Sequence, residues 1–349
     1  MKKKILIVGG YGAVGRQIAT NLVHTYPNLI LVAGRNYSKA EKLADELSSK
    51  VIPYAFDLAN FEDDPILNEV QLVIVCLDSP NTKFVEACIT KGINYLDISA
   101  QYASLQLIEN LDAQARTHKS TIVLSAGLAP GMTNLLAQHA YSQLQAPVMV
   151  EISILLGLGE KHGEQAYRWT FNHIDHTYML GSMRMDSFSD PIRTELLGTR
   201  KFYTFDFSDQ HVLRKTLPHT TVQTRMAFDS NWFTSITAFL RKCRLTKLFK
   251  NKRIQDFAIT LFDKWSFGSA VFGVKVEAKD KKGDLKTYTF TGYNEGKITA
   301  AFTTELARHL LTLPQQAYGV FHSHQIISNI PDFIERVQRY DPSFEMKEV

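Results

Sequence analysis

The chain is 349 residues long, 45% hydrophobic and 21% charged, with 39 Lys and Arg against 35 Asp and Glu for a net charge of +4. These values exclude a disordered chain. They predict two domains, or one with a large insertion, around a core that needs no disulfide or structural metal. Three scattered cysteines, Cys76, Cys88 and Cys243, are too few for a disulfide framework or a zinc site and suit a reducing, cytoplasmic compartment.

Met1-Lys2-Lys3-Lys4 precedes the apolar run Ile5–Val8, which Gly9 ends too early for a secretory signal. No stretch reaches the ~18 apolar residues of a membrane span. Strand and helix then alternate. Strands are predicted at Ile5–Gly9, Leu29–Ala33, Val51–Phe56, Leu72–Leu77, Asn94–Ile98 and Thr121–Ser125. Helices are predicted at Gly15–Tyr26, Ser38–Leu47 with Ser38 as N-cap, Thr82–Lys91 and Ala103–Lys119, with an acidic helix near Asp63–Asn68. Repeated βα units of this length imply a parallel sheet with right-handed crossovers. After a boundary near Gly127–Gly131 come a helix at Met132–Leu144, a strand at Val148–Leu156 and an aperiodic stretch to Gln210. Helices at Trp232–Arg253 and Ile254–Trp265, a hairpin of Gly268–Ala278 with Leu285–Tyr293, and a helix at Ile298–Leu313 complete the pattern. The fold class is α/β: an N-terminal Rossmann-type parallel sheet at 1–130 and an α+β substrate and dimerisation domain at 131–297. Residues 298–349 are expected to pack back on the first domain.

Gly10-Tyr11-Gly12-Ala13-Val14-Gly15 is a G-x-G-x-x-G turn that directly follows a strand and opens a helix. In that context it predicts a dinucleotide site: glycines for the tight turn and close approach, helix N–H groups for the pyrophosphate. NAD sites usually place an acid at the end of the second strand; here stands Ala33-Gly34-Arg35-Asn36, with no acid between Pro27 and Ala40. Gly34 is expected to leave room for a 2′-phosphate and Arg35 to supply a charged donor fork, which favours NADP over NAD. Asp57 and Leu58 are placed near the adenine, and Leu77-Asp78-Ser79-Pro80 near the middle of the cofactor.

Asn94-Tyr95-Leu96-Asp97-Ile98-Ser99 and Ser125-Ala126-Gly127-Leu128-Ala129-Pro130-Gly131-Met132-Thr133-Asn134 together resemble the saccharopine dehydrogenase (saccharopine reductase-like) family. The likeness is specific over residues 1–140. It implies a Rossmann domain, a second domain carrying substrate and dimer contacts, a homodimer, and NAD(P)-linked reduction of an imine or its reverse. Ser99, Ser125 and Gly127 fall beside the cofactor, and Pro130, Gly131 and Asn134 beside the substrate, where a helix N-terminus suits a carboxylate. The lysine-pathway members carry an acid just before this Pro-Gly. Ala129 stands here instead, which points to a different substrate.

Hydride transfer needs a proton donor. Asp97 and Tyr102 are candidates; capping the next loop and lying on the surface are their alternatives. Arg168, Trp169, His173 and His176 form the densest polar-aromatic cluster, with Arg168 for a carboxylate, Trp169 as an apolar wall and either histidine as acid or base. Solvated histidines are the alternative. Histidines three apart can also ligate a metal, but no Cys or third His is placed to strengthen a set, and no metal is expected. His322 and His324 read as loop residues.

Residues 241–253 hold seven basic residues and no acid, so the rest of the chain carries −3. With Trp232, Ile236, Phe239 and Leu240 upstream, 232–253 reads either as a solvated face beside an oligomer contact or as a basic amphipathic helix in peripheral contact with a membrane. No base-reading fold accompanies it, so nucleic acid is not an expected partner. The reading is an NADP-dependent oxidoreductase acting at a C–N bond of a small amino- or keto-acid-derived substrate. Its rivals are a non-catalytic NADP-binding sensor or scaffold and a membrane-associated reductase of a lipid-like substrate.

Overall fold

The structure, a computed structural model, describes residues 2–77, 81–160, 164–264, 268–312 and 317–349. Asp78, Ser79 and Pro80 lie outside the described residues, as do Lys161–Gly163, Trp265 and Leu313. The chain forms two units, Met1–Asn134 with Gly296–Val337, and Leu135–Glu295 with Gln338–Val349. The C-terminal stretch 298–349 thus divides between them.

The first unit is a seven-stranded parallel sheet in the order Gly319–His322, Thr121–Leu124, Asn94–Asp97, Val70–Val75, Lys4–Val8, Ile30–Gly34, Ile52–Ala55. Its central strands are continuous apolar runs because helices cover both faces of such a sheet; Ile5, Leu6, Ile7, Val8, Ile30, Val32, Leu72 and Ile74 are fully buried. The chain first builds toward one edge and then restarts with Val70–Val75 on the other side of Lys4–Val8. That reversal creates the crevice at the carboxyl ends where doubly wound sheets bind ligands.

The seventh strand differs from the sequence expectation, which had six strands and a loop at His322. Gly319–His322 pairs with Thr121–Leu124, residue for residue. Asp112 docks it: its Oδ1 accepts the Val320 N–H at 2.9 Å, and Arg116 lies over the Phe321 ring at 5.8 Å. The predicted helix Ala103–Lys119 is two helices, Tyr102–Glu109 and Asp112–Thr117, which frees Asp112 to begin a new first turn. Asn36, not Ser38, caps the second helix, Tyr37–Glu46, by accepting the Lys39 N–H at 3.1 Å.

The second unit holds a mixed sheet in the order Ile192–Glu195, Thr199–Thr204, Thr221–Phe228, Pro147–Leu156, Val271–Asp280, Leu285–Tyr293, Glu345–Glu348. Thr221–Phe228 pairs in parallel with Pro147–Leu156, and the other pairs are antiparallel. Thr221–Phe228 was not predicted, because buried Arg225 breaks its apolar pattern; Glu151 and Asp190 pair with that guanidinium. The stretch to Gln210, expected to lack periodicity, contains the helix Glu164–Ile174, the short hairpin Thr177–Leu180 with Met183–Asp186, and the start of the helix Ser208–Thr216. The predicted helix Trp232–Arg253 ends at Lys242. Arg244 takes a left-handed conformation at φ 61°, and a 3-10 turn at Leu245–Lys250 leads into the helix Lys252–Lys264. Among the described residues, no helix is long and apolar enough to cross a membrane.

Candidate functional site

Lys4–Val8 runs straight into the glycine turn. Gly9 is left-handed at φ +77°, and the N–H groups of Gly9 and Gly10 both reach the Ala33 carbonyl, at 2.9 and 3.1 Å. A Cβ on Gly10 would stand 2.7 Å from the Ile7 carbonyl oxygen, and one on Gly15 would stand 2.4 Å from that of Gly9. Glycine at these positions therefore lets the helix Ala13–Val23 pack on the strand. Gly12 is its N-cap, with no side-chain cap and no acid in the first turn. Gly12 and Ala13 are exposed and Val14 half-buried. A helix start of this kind presents unneutralised N–H dipoles, which suit a phosphate.

At the end of Ile30–Gly34, the structure fills the space expected to be open. A Cβ on Gly34 would lie 2.5 Å from the Tyr11 ring, whose hydroxyl accepts the Asn36 N–H at 3.1 Å. Arg35 and Asn36 are exposed. Asp57 accepts from the Ala59 N–H and from Asn60 Nδ2. The Asn60 bond above all holds its carboxyl below the usual carboxylate range, with a smaller contribution from the Arg35 charge. Leu58 is buried, and its carbonyl accepts from Asn81. Leu77 covers Gly9, while Asp78 lies outside the described residues.

The carboxyl ends of the fifth to seventh strands carry the polar groups of this unit. Asp97 is buried; its Oδ1 accepts the Ser99 N–H at 2.6 Å and its Oδ2 the Tyr95 hydroxyl at 2.9 Å. Burial and this carboxylate push the Tyr95 phenol well up. These bonds correspond to the loop-capping alternative for Asp97. Ser99 in turn accepts the Gln101 N–H just before Tyr102, which is half-buried at the first helical position.

Beside them is a chain of three groups. The Ser125 hydroxyl lies 2.8 Å from His322 Nδ1, and His322 Nε2 lies 3.1 Å from Glu109. Ser125 is fully buried in a left-handed conformation at φ 60°. His322 thus ends a strand rather than standing in a loop as its sequence suggests, and Glu109 carries no sequence signal of its own. The signal available was that Gly319-Val320-Phe321 alternates as a short strand, but its neighbour Thr121–Leu124 lies almost 200 residues upstream. Next to Ser125, Gly127 donates to the Pro130 carbonyl at 3.0 Å, and Gly131 adopts φ +141°. A Cβ on Gly131 would stand 2.1 Å from the Gly127 carbonyl oxygen. Asn134 Oδ1 accepts the Gly131 N–H at 2.9 Å and closes this turn, and its buried Nδ2 finds no acceptor among the described residues.

The second unit holds the other candidates. Arg168 pairs with Asp256 and hydrogen-bonds to Gln255. Trp169 stacks on His173 with ring centres 4.2 Å apart and leans on Phe205 and Phe207. His176 Nδ1 lies 2.9 Å from Asp206, whose other oxygen is 2.6 Å from His211 Nε2. Asp206 and His211 were not singled out in the sequence.

Residues 5–123 match the family model described as the saccharopine dehydrogenase NADP binding domain. No curated protein sequence matches the chain. Among solved structures it is similar to apo saccharopine dehydrogenase (L-Glu forming) from Saccharomyces cerevisiae. The identity is 14% and the TM-score 0.68, over 99% of this chain and 100% of that one. It is also similar to a mutant meso-dapdh with DAP from Clostridium tetani, at 12% identity and a TM-score of 0.50 over 96% and 99% of the two chains. At such identities the likeness is one of fold. Residues 5–123 have features that fit a dinucleotide: a glycine turn where Cβ atoms would clash, a helix start without an acid, and exposed Arg35 at the second strand's end.

Proposed function

We propose that the protein is an NADP-dependent oxidoreductase that transfers hydride at the C–N bond of a small amino- or keto-acid-derived substrate. The observation that carries this reading is the Ser125–His322–Glu109 chain at the carboxyl edge of an NADP-type sheet. The yeast neighbour is a saccharopine dehydrogenase of the L-Glu forming kind, which supports chemistry at a C–N bond. Ala129, where the lysine-pathway members carry an acid, favours a substrate other than saccharopine.

In this reading Gly12–Gly15 and the start of their helix hold the pyrophosphate, and Arg35 holds the 2′-phosphate. NADPH, when bound, supplies the hydride. With the His322 Nε2 proton donated to Glu109, Nδ1 accepts the Ser125 hydroxyl proton. The three groups then form one path by which a proton reaches or leaves the Ser125 oxygen. Ser125 and His322 are buried, and the path opens toward solvent at the partly exposed Glu109 carboxylate.

The test is paired. NADPH and NADH are titrated by fluorescence against wild type and Arg35→Ala; equal affinities in wild type, or an unchanged NADPH preference in the variant, would sink the NADP assignment. Amine and keto-acid pairs are then screened for cofactor turnover. His322→Gln is expected to lower kcat by about 10²–10⁴-fold with cofactor affinity retained. Silence across all acceptors with NADPH still bound favours the sensor reading.

A second reading rests on Trp232 and Phe239, which are 72% and 62% exposed beside Lys242, Arg244 and Lys247. Bulky apolar groups amid cations suit an anionic lipid surface, so a peripheral membrane contact through 232–253 is part of the proposal.

A further inference from the structure

The cluster around Asp206 in the second unit has no part in the proton path described above. Its side chains come from three places. His173 is on the last turn of Glu164–Ile174, His176 follows that helix, and Asp206 lies between Thr199–Thr204 and Ser208–Thr216. One ligand atom from each of the three residues lies within 4.8 Å of the others. We propose that His173, His176 and Asp206 bind a borderline divalent cation of the Zn2+ type, with His211 positioning the carboxylate.

Two imidazole nitrogens and one carboxylate oxygen suit Zn2+, Fe2+, Co2+ or Ni2+ better than Mg2+ or Ca2+, which favour all-oxygen shells. Metal–ligand bonds of about 2.0–2.1 Å put the ligand atoms of a tetrahedral site ~3.3 Å apart. His176 Nδ1 and Asp206 Oδ2 are already 2.9 Å apart.

The surroundings match what orients metal ligands elsewhere. His173 Nδ1 lies 2.7 Å from the Trp169 carbonyl oxygen. A proton on that nitrogen leaves the lone pair on Nε2, the usual second-sphere arrangement for a ligating histidine. Trp169 stacks on the same ring and fixes its plane. His211 Nε2, 2.6 Å from Asp206 Oδ1, anchors one carboxylate oxygen and leaves the orientation of the other determined. Asp206 and His211 are largely shielded while His176 is 45% exposed, so the site is supported from within and open on one side. Three protein ligands leave a coordination position for water or a substrate group.

The experiment uses the full chain without an affinity tag, stripped with a chelator. Co2+ is titrated while visible d–d bands are followed, and Zn2+ affinity is measured by competition with a chromophoric chelator. One equivalent of Co2+ with ligand-field bands is expected. Zn2+ binding should weaken by ~10–100-fold in His211→Ala, and by at least as much in His176→Ala and Asp206→Asn. No saturable binding by wild type, or wild-type affinity in the ligand variants, would overturn the proposal. Should a variant not fold, the imidazole nitrogen shifts of wild type decide: His173 and His176 must move together on adding one equivalent of Zn2+, and unmoved resonances refute the site.

Discussion

The Tyr11 ring lies against the bare Cα of Gly34, close enough that a Cβ there would come within 2.5 Å of it. The hydroxyl then accepts the Asn36 N–H, so the first residue after Gly10 fixes the end of the second strand. A residue from the glycine turn and one from the end of the second strand are thus a single packed unit.

Gly34→Ala should therefore displace the ring, at a cost of ~1–3 kcal/mol for overpacking, and weaken NADPH. In a Tyr11→Ala background the same substitution should be close to neutral. Urea midpoints and cofactor titrations on the four proteins of this double-mutant cycle measure the coupling; additive effects would show that the two residues do not act together.

Asp112 ties the seventh strand to the sheet by accepting the Val320 N–H, and the Arg116 bond is the main cause of its depressed carboxyl pKa. Asp112→Ala should cost ~1–3 kcal/mol by leaving that N–H unpaired, with faster hydrogen exchange at Val320. The sign for a depressed carboxyl is stability present above the unfolded value of 3.8 and lost as pH falls through the folded one. The variant's deficit should therefore shrink in strong acid.

His324 is buried, and burial together with the neighbouring His322 brings its pKa down to about 3 from 6.5. A histidine kept neutral in the fold contributes fully above the unfolded value. Below it, stability falls by about 1.4 kcal/mol per pH unit until the folded pKa is reached. Denaturation midpoints taken between about pH 7 and about pH 4 should fall more steeply for wild type than for His324→Gln. Parallel slopes would locate the acid sensitivity elsewhere.

Much of the first unit was legible because its strands are uniform apolar runs and its helices begin at recognisable caps. Both signals are local. The second unit was harder to read because its determinants are paired across distance: Arg225 is acceptable in Thr221–Phe228 only with Glu151 and Asp190 facing it. The same holds for the candidate sites. The glycine turn stands out as a contiguous motif, whereas Ser125 meets His322 across 197 positions and His176 meets Asp206 across the four strands that lie between them. The break after Lys242 was hidden by an unbroken amphipathic pattern that Arg244 interrupts through backbone conformation alone.

Trp232→Ala with Phe239→Ala should abolish flotation with anionic liposomes while leaving the unfolding free energy within about 0.5 kcal/mol of wild type. Charge reversal at Lys242 and Lys247 should reduce flotation in proportion to anionic lipid content, since each basic residue contributes about 1 kcal/mol at such a surface. Arg241 is a poor choice for this test, because Asp175 and Asp186 already engage it. Flotation insensitive to both sets of changes, and to salt, would remove the membrane contact.

The late arrival of Gly319–His322 has a consequence for synthesis. A ribosome makes Thr121–Leu124 long before the strand that covers its edge. Until then the nucleotide sheet ends in unpaired N–H and C=O groups, a template for pairing with other chains. The two parallel strands can pair only after residues 125–318 have emerged between them, although loop-closure entropy grows slowly with that length. Truncations near residue 134 should therefore yield a protein that aggregates through this edge, and any factor that shelters nascent chains would have its longest task there.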